Sequence, residues 1–390
     1  MSDPRQRERL GRLRRCVRGC LLGGALGDAL GAPLEFLDLP NIRARYGPRG
    51  LETLAPAYGR IGAVTDDTQM TLFTAEGLIR AQVRGAARGI CHPPSVVWHA
   101  YLRWLSTQGD SWREVGGRFY SDDNREPDGW LVGERWLRAR RAPGSTCLAA
   151  LRSQRMGEVR RPLNDSKGCG GLMRVAPAGL VDGPHGGDGF RGDSVDYSGI
   201  FTLGCELAAI THGHASGYCA AGALAVTVHA MARGLRLDAA LDTAERELRQ
   251  HHEASETLEA LTAARALARE PPSVTALESI GRGWVAEEAL AMAVYAALAH
   301  ADAPREALCF AVHHSGDSDS VGAVCGNLIG TLHGEEALPG DWLVLLEGRP
   351  AIERLADDLW LQVTGQAPCV SEQAELKPEA EEWFRRYPGW

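Results

Sequence analysis

The sequence predicts a single-domain, all-α helical bundle, and three observations carry that prediction. Apolar residues recur at helical spacing through 16–31, 68–83, 95–106, 202–234, 238–250, 254–268, 285–300, 304–313 and 320–332. Convincing alternation of the kind a half-buried strand needs is nearly absent. Aromatics make up only 6% of a chain holding 46 glycines and abundant alanine, a mixture suited to closely packed helices rather than a β-sandwich. The 44% hydrophobic content is ample for a core and argues against disorder.

Taken in order, the arginine-rich stretch Arg5–Arg18 reads as the solvated start of the first helix. Within that helix Gly19, Gly23, Gly27 and Gly31 recur every fourth residue, and Gly322, Gly326 and Gly330 do the same near the other end of the chain. An interior glycine costs a helix roughly 1 kcal/mol relative to alanine. A row on one face therefore predicts a helix–helix contact closer than side chains allow, against the simpler reading of a glycine-rich composition. Residues 107–163 are less regular. They hold the charged stretch Asp122–Asp128 with Trp112, Trp130 and Trp136, and read as loops and short helices beside a site. Residues 182–199 read as a glycine-rich loop. Residues 366–381 are Pro/Glu-rich and read as a loose tail whose end docks through Trp383, Phe384, Tyr387 and Trp390. The expected organisation is one domain over 12–365, with 107–163 as an irregular insert and 366–390 as a C-terminal tail.

A formal net charge of −8, with no long basic run beyond the N-terminus, argues against nucleic acid as a partner. The ten cysteines show no CxxC and no paired zinc spacing, so they read as reduced, mostly core-filling thiols. Asp28 interrupts the apolar run Cys20–Leu30 and Glu35 follows it, against a signal peptide or membrane span. A cytoplasmic monomer without membrane contact is the expectation.

Two acidic clusters stand out. Thr65-Asp66-Asp67-Thr68 precedes the amphipathic run 69–84, and Ser315-Gly316-Asp317-Ser318-Asp319-Ser320 precedes the apolar run 321–333. Carboxylates at a helix start stabilise it by about 0.3–1 kcal/mol, and capping explains either cluster alone. Capping needs one side chain, however, and these segments offer several, bordering helices too apolar to lie on the surface. Like charges drawn inside repel unless a cation neutralises them. Oxygen donors from Asp, Thr and Ser select a hard cation such as Mg²⁺ or Mn²⁺.

Five blocks together resemble the ADP-ribosylglycohydrolases over roughly residues 16–335. They are GCLLGGALGDALGAPLEF at 19–36, GAVTDDTQMTLFTAEGL at 62–78, NDSKGCGGLMRVAPAGL at 164–180, THGHASGYCAAGALA at 211–225 and HSGDSDSVGAVCGNLIG at 314–330. The resemblance implies an all-α fold of the ADP-ribosylglycohydrolase type with two Mg²⁺ per chain, Mn²⁺ being the alternative. The matching metal positions are Thr65, Asp66, Asp67, Asp317, Asp319 and Ser320; some members carry threonine at the last. Glu35 matches an acidic residue that approaches the metals or the attacking water, with Asp66 and Asp67 as further proton acceptors. The matching ligand loop comprises Ser166, Gly168, Cys169, Gly170 and Gly171, followed by Met173 and Arg174, with His212 facing the distal part of the ligand.

Read without the family, Glu35 is an ordinary surface carboxylate and the Gly168–Gly171 run a turn. The glycines also let backbone N–H groups approach phosphate oxygens. Arg174 suits a diphosphate or a loop-bracing carboxylate equally well. His212 and His214 sit where helix capping is the commoner role, and Asp28 reads as a structural support.

The reaction implied is hydrolysis of the bond between the anomeric carbon of the distal ribose and an N or O atom of the acceptor, a mono-ADP-ribosylated protein above all. Two other classes stand beside it. One is an ADP-ribose-binding antagonist or immunity protein directed at an ADP-ribosyltransferase. The other is a binuclear-metal phosphohydrolase acting on a nucleotide diphosphate.

Overall fold

The computed structural model describes residues 4–121, 123–182, 190, 194–368 and 378–389. Helices dominate: α1 (Pro4–Gly31), α2 (Leu39–Tyr46), α3 (Asp66–Arg88), α4 (Pro93–Thr107), α5 (Trp112–Val115), α6 (Ser145–Arg152), α7 (Tyr197–Ala209) and α8 (Ala215–Ala232). They continue with α9 (Leu237–Leu248), α10 (Ser255–Leu267), α11 (Val274–Ile280), α12 (Ala286–Ala299), α13 (Pro304–Ala311), α14 (Ser318–His333), α15 (Gly340–Leu345), α16 (Arg349–Val363) and α17 (Pro378–Arg386). The sole described sheet is a small hairpin, β1 (Pro56–Ala57) against β2 (Arg60–Ile61), antiparallel with Pro56 opposite Ile61.

The centre of the bundle is the α1–α14 pair, and the glycine rows are its contact. A methyl added at Gly27 would lie 1.9 Å from the Gly322 carbonyl oxygen, and one at Gly326 2.0 Å from that of Gly23. Gly19 meets Gly330 in the same way. Two helix backbones touch here because neither carries a side chain on that face. Asn327 Nδ2 donates to the Cys20 carbonyl at 2.8 Å and fixes the register. The pair brings the C-terminal end of α1 against the N-terminal end of α14, with Gly31 packed on the backbone of Ser318 and Asp319.

Around that pair α3 packs on α4 and α16, α8 pairs with α7 and α9, and α12 packs against α8, α10 and α14. α8 is long and apolar enough to cross a membrane, yet 89% of it is buried in the fold, as in the core helix of a soluble protein.

The structure departs from the sequence expectation in several places, and α2, α11 and α15 lie outside the predicted helical runs. The run 202–234 is two helices, because Gly213 is pressed against the Asn164 carbonyl and His214 caps a new start by accepting from the Ser216 N–H at 3.1 Å. Residues 349–363 form a further helix, α16, whose Pro350 stands in its first turn. The chain end docks as its aromatic residues suggest: within α17 and after it Trp383 and Tyr387 are buried, and the Tyr387 hydroxyl donates to Asp358 at 2.6 Å. Residues 183–189 and 191–193 of the expected glycine-rich loop lie outside the described residues, as do 369–377 and Trp390. The 107–163 region consists of short helices and turns, as expected. Buried Arg80 and Arg103 hold it down through Asp128, sharing the buried carboxylate of Glu76.

One buried histidine makes the fold sensitive to acid. His229 in α8 stacks near Phe190 and lies 3.1 Å from the Gly179 carbonyl oxygen through Nδ1. Burial, reinforced by Arg233, pushes its pKa down to about 4. The unfolded chain takes up that proton below about pH 6.5 and the folded chain does not. His229 thus supports full stability above pH 6.5 and lowers it as pH falls toward 4, by about 2 kcal/mol at pH 5. Urea denaturation at pH 7 and pH 5 is expected to show this loss in the wild type and its reduction in His229→Gln.

Candidate active site

The two acidic clusters, some 250 residues apart in the chain, meet where α1 ends and α3 and α14 begin. Asp28 organises one side. It accepts from the Thr65 N–H at 2.9 Å, the Thr65 hydroxyl at 2.9 Å, the Thr68 N–H at 3.1 Å and the Thr68 hydroxyl at 2.5 Å. The last turn of α1 thereby holds the first turn of α3. Thr65 is the N-cap of α3, its hydroxyl accepting from the Asp67 N–H at 3.3 Å. Asp317 is the N-cap of α14, and the Ser320 N–H reaches Asp317 at 3.4 Å and Asp319 at 3.1 Å. Capping, the simpler reading of each cluster, therefore employs Thr65 and Asp317 and leaves Asp66, Asp67 and Asp319 over for other work.

Those carboxyls are buried together. Burial first, then the charge of Asp319, raises Asp66, Asp67 and Asp317 well above the usual carboxylate range. Burial raises Asp319 itself, and it pushes Asp28 up to about 7, again with help from Asp319. Glu35 is pushed up to about 10 by burial and then by Asp319, Asp317, Asp66 and Asp28, so it faces the same cluster. It is no free surface carboxylate. Tyr58, at the tip of the hairpin, is raised by burial and by the same carboxylates, Glu35 foremost.

The glycine loop closes the other side. Cys169 donates its thiol to Asp317 Oδ2 at 2.7 Å and its N–H to the Trp284 carbonyl at 3.1 Å. A side chain at Gly170 would collide with Cys147 and His212, and one at Gly168 would press on His212 Nε2, so the loop lies flat on that ring. Met173 Sδ stands 3.9 Å from the Ser320 hydroxyl. Ser166 faces Thr146 at 3.3 Å. Arg174 is wholly buried: it donates to the Thr211 hydroxyl at 2.6 Å and lies 4.2 Å from the Tyr101 ring centre. Its contact is that of a brace, to a hydroxyl rather than a carboxylate. The Thr211 hydroxyl is 2.8 Å from His212 Nδ1, and burial pushes His212 down to about 3, so the ring is neutral and held from behind. His214, by contrast, is a helix cap.

The donors fit a hard cation in kind. They are oxygens, they are buried, and Asp67 Oδ1 and Glu35 Oε2 are buried without a hydrogen-bond partner. Among the described residues no three His, Cys, Asp or Glu side chains already stand at metal-ligand spacing. A cation held there would draw also on the Thr65 and Ser320 hydroxyls and on side-chain adjustment. A separate cavity of about 480 Å³, between residues 156–160 and the helices α7 and α8, holds none of these carboxylates.

The ADP-ribosylglycohydrolase family model matches residues 9–369, nearly the whole chain. The chain belongs to the ADP-ribosylglycohydrolase family. It is 28% identical over 333 residues to an uncharacterized protein of Archaeoglobus fulgidus, covering 84% of this chain and 90% of that one. It is also similar to the solved structure of an ADP-ribosylglycohydrolase-related protein complex. The TM-score is 0.60 at 26% identity, over 90% of this chain and 99% of the other. The all-α ADP-ribosylglycohydrolase fold thus spans the chain, and with it comes a glycohydrolase type of activity on ADP-ribosyl bonds.

Several contributors to this ADP-ribosylglycohydrolase site escaped the sequence reading. Tyr58 reaches the carboxylates from a hairpin too short to leave a periodic trace. Phe36 and Trp284 stack at a centroid distance of 5.5 Å beside Glu35 and the Cys169 loop. The Gly144 N–H reaches Asp66 at 3.3 Å from the start of α6. Asp28 alone had left a signal: it is a lone charge inside an apolar helix.

Proposed function

We propose that this chain is a Mg²⁺-dependent hydrolase that releases ADP-ribose from a mono-ADP-ribosylated protein. The observation that carries this reading is the buried meeting of Asp66, Asp67, Asp317 and Asp319 with Glu35, two of whose orphaned oxygens call for a positive partner. Thr65, Asp66, Asp67, Asp317, Asp319 and Ser320 would hold the cations. Bound there, they supply positive charge for a water and for ribose hydroxyls. With cations offsetting the neighbouring carboxylates that raise it, Glu35 would ionise, and its unpartnered Oε2 would take a proton from the attacking water. The water oxygen bonds to the anomeric carbon as the bond to the acceptor N or O breaks, by way of an oxocarbenium-like transition state. The water's proton then passes to the leaving acceptor. The Gly168–Gly171 backbone and the braced His212 ring position the diphosphate and distal ribose.

The test is release of ADP-ribose from an arginine- and a serine-ADP-ribosylated protein, with Mg²⁺ and with EDTA, for the wild type and Glu35→Gln. Release is expected only with Mg²⁺, with kcat lowered about 100-fold or more in the variant. AMP as the product would replace this reading with diphosphate cleavage. Metal-independent release, or full activity in Glu35→Gln, would contradict it.

A further inference from the structure

We propose that Cys169 is a positioning residue for the cation site: its thiol sets the orientation of Asp317 and ties that carboxylate to the glycine loop. The inference rests on the reading above that Asp317 holds a cation, and adds to it the residue that keeps Asp317 in place.

The thiols of Cys147 and Cys325 reach backbone carbonyls at 3.7 Å, as core-filling cysteines do. Cys169 differs, because its thiol meets a carboxylate: Sγ donates to Asp317 Oδ2 at 2.7 Å. The other oxygen, Oδ1, accepts from the Ser320 N–H at 3.4 Å, which is long for an N–H donor. The helix start therefore holds this carboxylate loosely, and the thiol is its close partner.

Backbone contacts make the thiol bond part of a closed frame. The Arg282 carbonyl accepts from the Asp317 N–H at 2.9 Å, and the Trp284 carbonyl accepts from the Cys169 N–H at 3.1 Å. Gly168 bridges to Val285, and the Lys167 carbonyl accepts from the Ala286 N–H at 2.9 Å. Residues 282–286 thus carry Asp317 on one side and the glycine loop on the other. Between the two carbonyls Gly283 sits at φ 77°, where an added methyl would lie 2.7 Å from Val321 and 3.3 Å from Asp317. The Cys169 carbonyl in turn accepts from the Leu172 N–H at 2.7 Å and the Met173 N–H at 3.0 Å, so the sulfur hangs from backbone that is fixed on both sides. Its bond to Oδ2 closes the circuit from the loop back to the Asp317 side chain. Met173 adds a second link, with Sδ 3.9 Å from the Ser320 hydroxyl. Through two sulfur atoms the loop touches both Asp317 and Ser320, the first and last residues of the α14 donor set.

Orientation matters because a carboxylate that can rotate must be ordered when a cation binds, and a donor already on one oxygen supplies that order beforehand. Each carboxylate oxygen has two lone pairs, so a thiol on Oδ2 leaves room for a cation. Asp67 Oδ1, buried without a partner in the same cluster, stands ready as a further donor. Hydrogen-bonded carboxylate ligands hold metals more tightly, and losing the outer partner typically costs about 10–100-fold in affinity. A thiol that only filled space would have no such effect.

Cys169→Ala and Cys169→Val both remove the donor, one with a smaller and one with a larger side chain, while Cys169→Ser keeps a donor. Mn²⁺ binding to the purified chain is followed by electron paramagnetic resonance, with Asp317→Asn as the control. ADP-ribose binding in EDTA is measured by calorimetry. The expected result is a Kd for Mn²⁺ raised about tenfold or more in the alanine and valine variants and largely restored in the serine variant. ADP-ribose affinity in EDTA is expected to stay unchanged in all three, because Trp284 and not the thiol holds the loop backbone. Wild-type Mn²⁺ affinity in the alanine and valine variants, or a serine variant as weak as they are, would overturn the positioning role. A matching fall in ADP-ribose affinity would overturn it too, since Cys169 would then support the loop rather than Asp317. Asp317→Asn is expected to bind Mn²⁺ about 100-fold more weakly than wild type. If it binds equally well, or if wild type binds none, the cation reading falls and the role of Cys169 falls with it. A loss in Asp317→Asn without one in Cys169→Ala and Cys169→Val would remove the role of Cys169 alone.

Discussion

Asp319→Asn is expected to raise the thermal stability of the metal-free protein while abolishing the gain that Mg²⁺ confers and lowering ADP-ribose release roughly 100-fold or more. The opposite signs follow from one arrangement. Asp319 is buried, and its charge is a leading electrostatic cause of the raised pKa values of Asp66, Asp67, Asp317 and Glu35. Without a cation, ionising this group at neutral pH opposes folding, and a neutral amide relieves the repulsion. With a cation the same charge becomes favourable. A ligand that binds only the folded state stabilises it by RT ln(1 + [L]/Kd), about 2.7 kcal/mol at a hundred times Kd. Melting curves in EDTA and in Mg²⁺ are therefore expected to cross between wild type and variant. A variant less stable than wild type in EDTA would show that Asp319 is a structural cap. A Mg²⁺ gain undiminished in the variant would show that the cation sits elsewhere.

Gly23→Val combined with Gly326→Val is expected to destabilise the chain by about 5 kcal/mol, enough to remove most folded protein at 37 °C. In isolation each substitution removes a helix-destabilising glycine, and propensity alone favours the change. The packing reverses the sign. A β-carbon at Gly326 meets the Gly23 carbonyl oxygen at 2.0 Å and one at Gly23 meets that of Gly326 at 2.3 Å, and backbone cannot rotate away as a side chain can. The helices must separate, opening the interface that α1 and α14 share. Because both carry site residues near their ends, activity is expected to fall before the fold does in the single Gly27→Ala variant, whose added methyl lies 1.9 Å from the Gly322 carbonyl oxygen. Urea denaturation and Mg²⁺-dependent release, measured side by side, check both statements. Unaltered midpoints would mean that the helices part at little cost.

Helix identity was legible wherever one face of a segment is apolar at a period of 3.6, as in α3, α4, α9, α10 and α12–α14. The glycine rows were legible too, because a costly residue repeated at fixed spacing must be compensated somewhere. The break between α7 and α8 was legible only in part: His212 and His214 read as helix-capping residues, while the close approach of the Asn164 carbonyl, distant in sequence, to Gly213 left no local trace. The docking of α17 was legible in its aromatic residues, but its partner Asp358 was not.

For this chain the sequence by itself determined the all-α class, the two acidic helix starts and the residue types able to hold a hard cation, since propensity, capping and ligand chemistry are local properties. Only the tertiary structure decided that the two starts share one buried site, that Glu35 faces it, and that Arg174 donates to Thr211 behind His212. It also decided that Phe36 and Trp284 stack beside Glu35. Those relations depend on how closely α1 and α14 approach and on where short loops land. Close packing between distant segments settles both, and no window of sequence contains it.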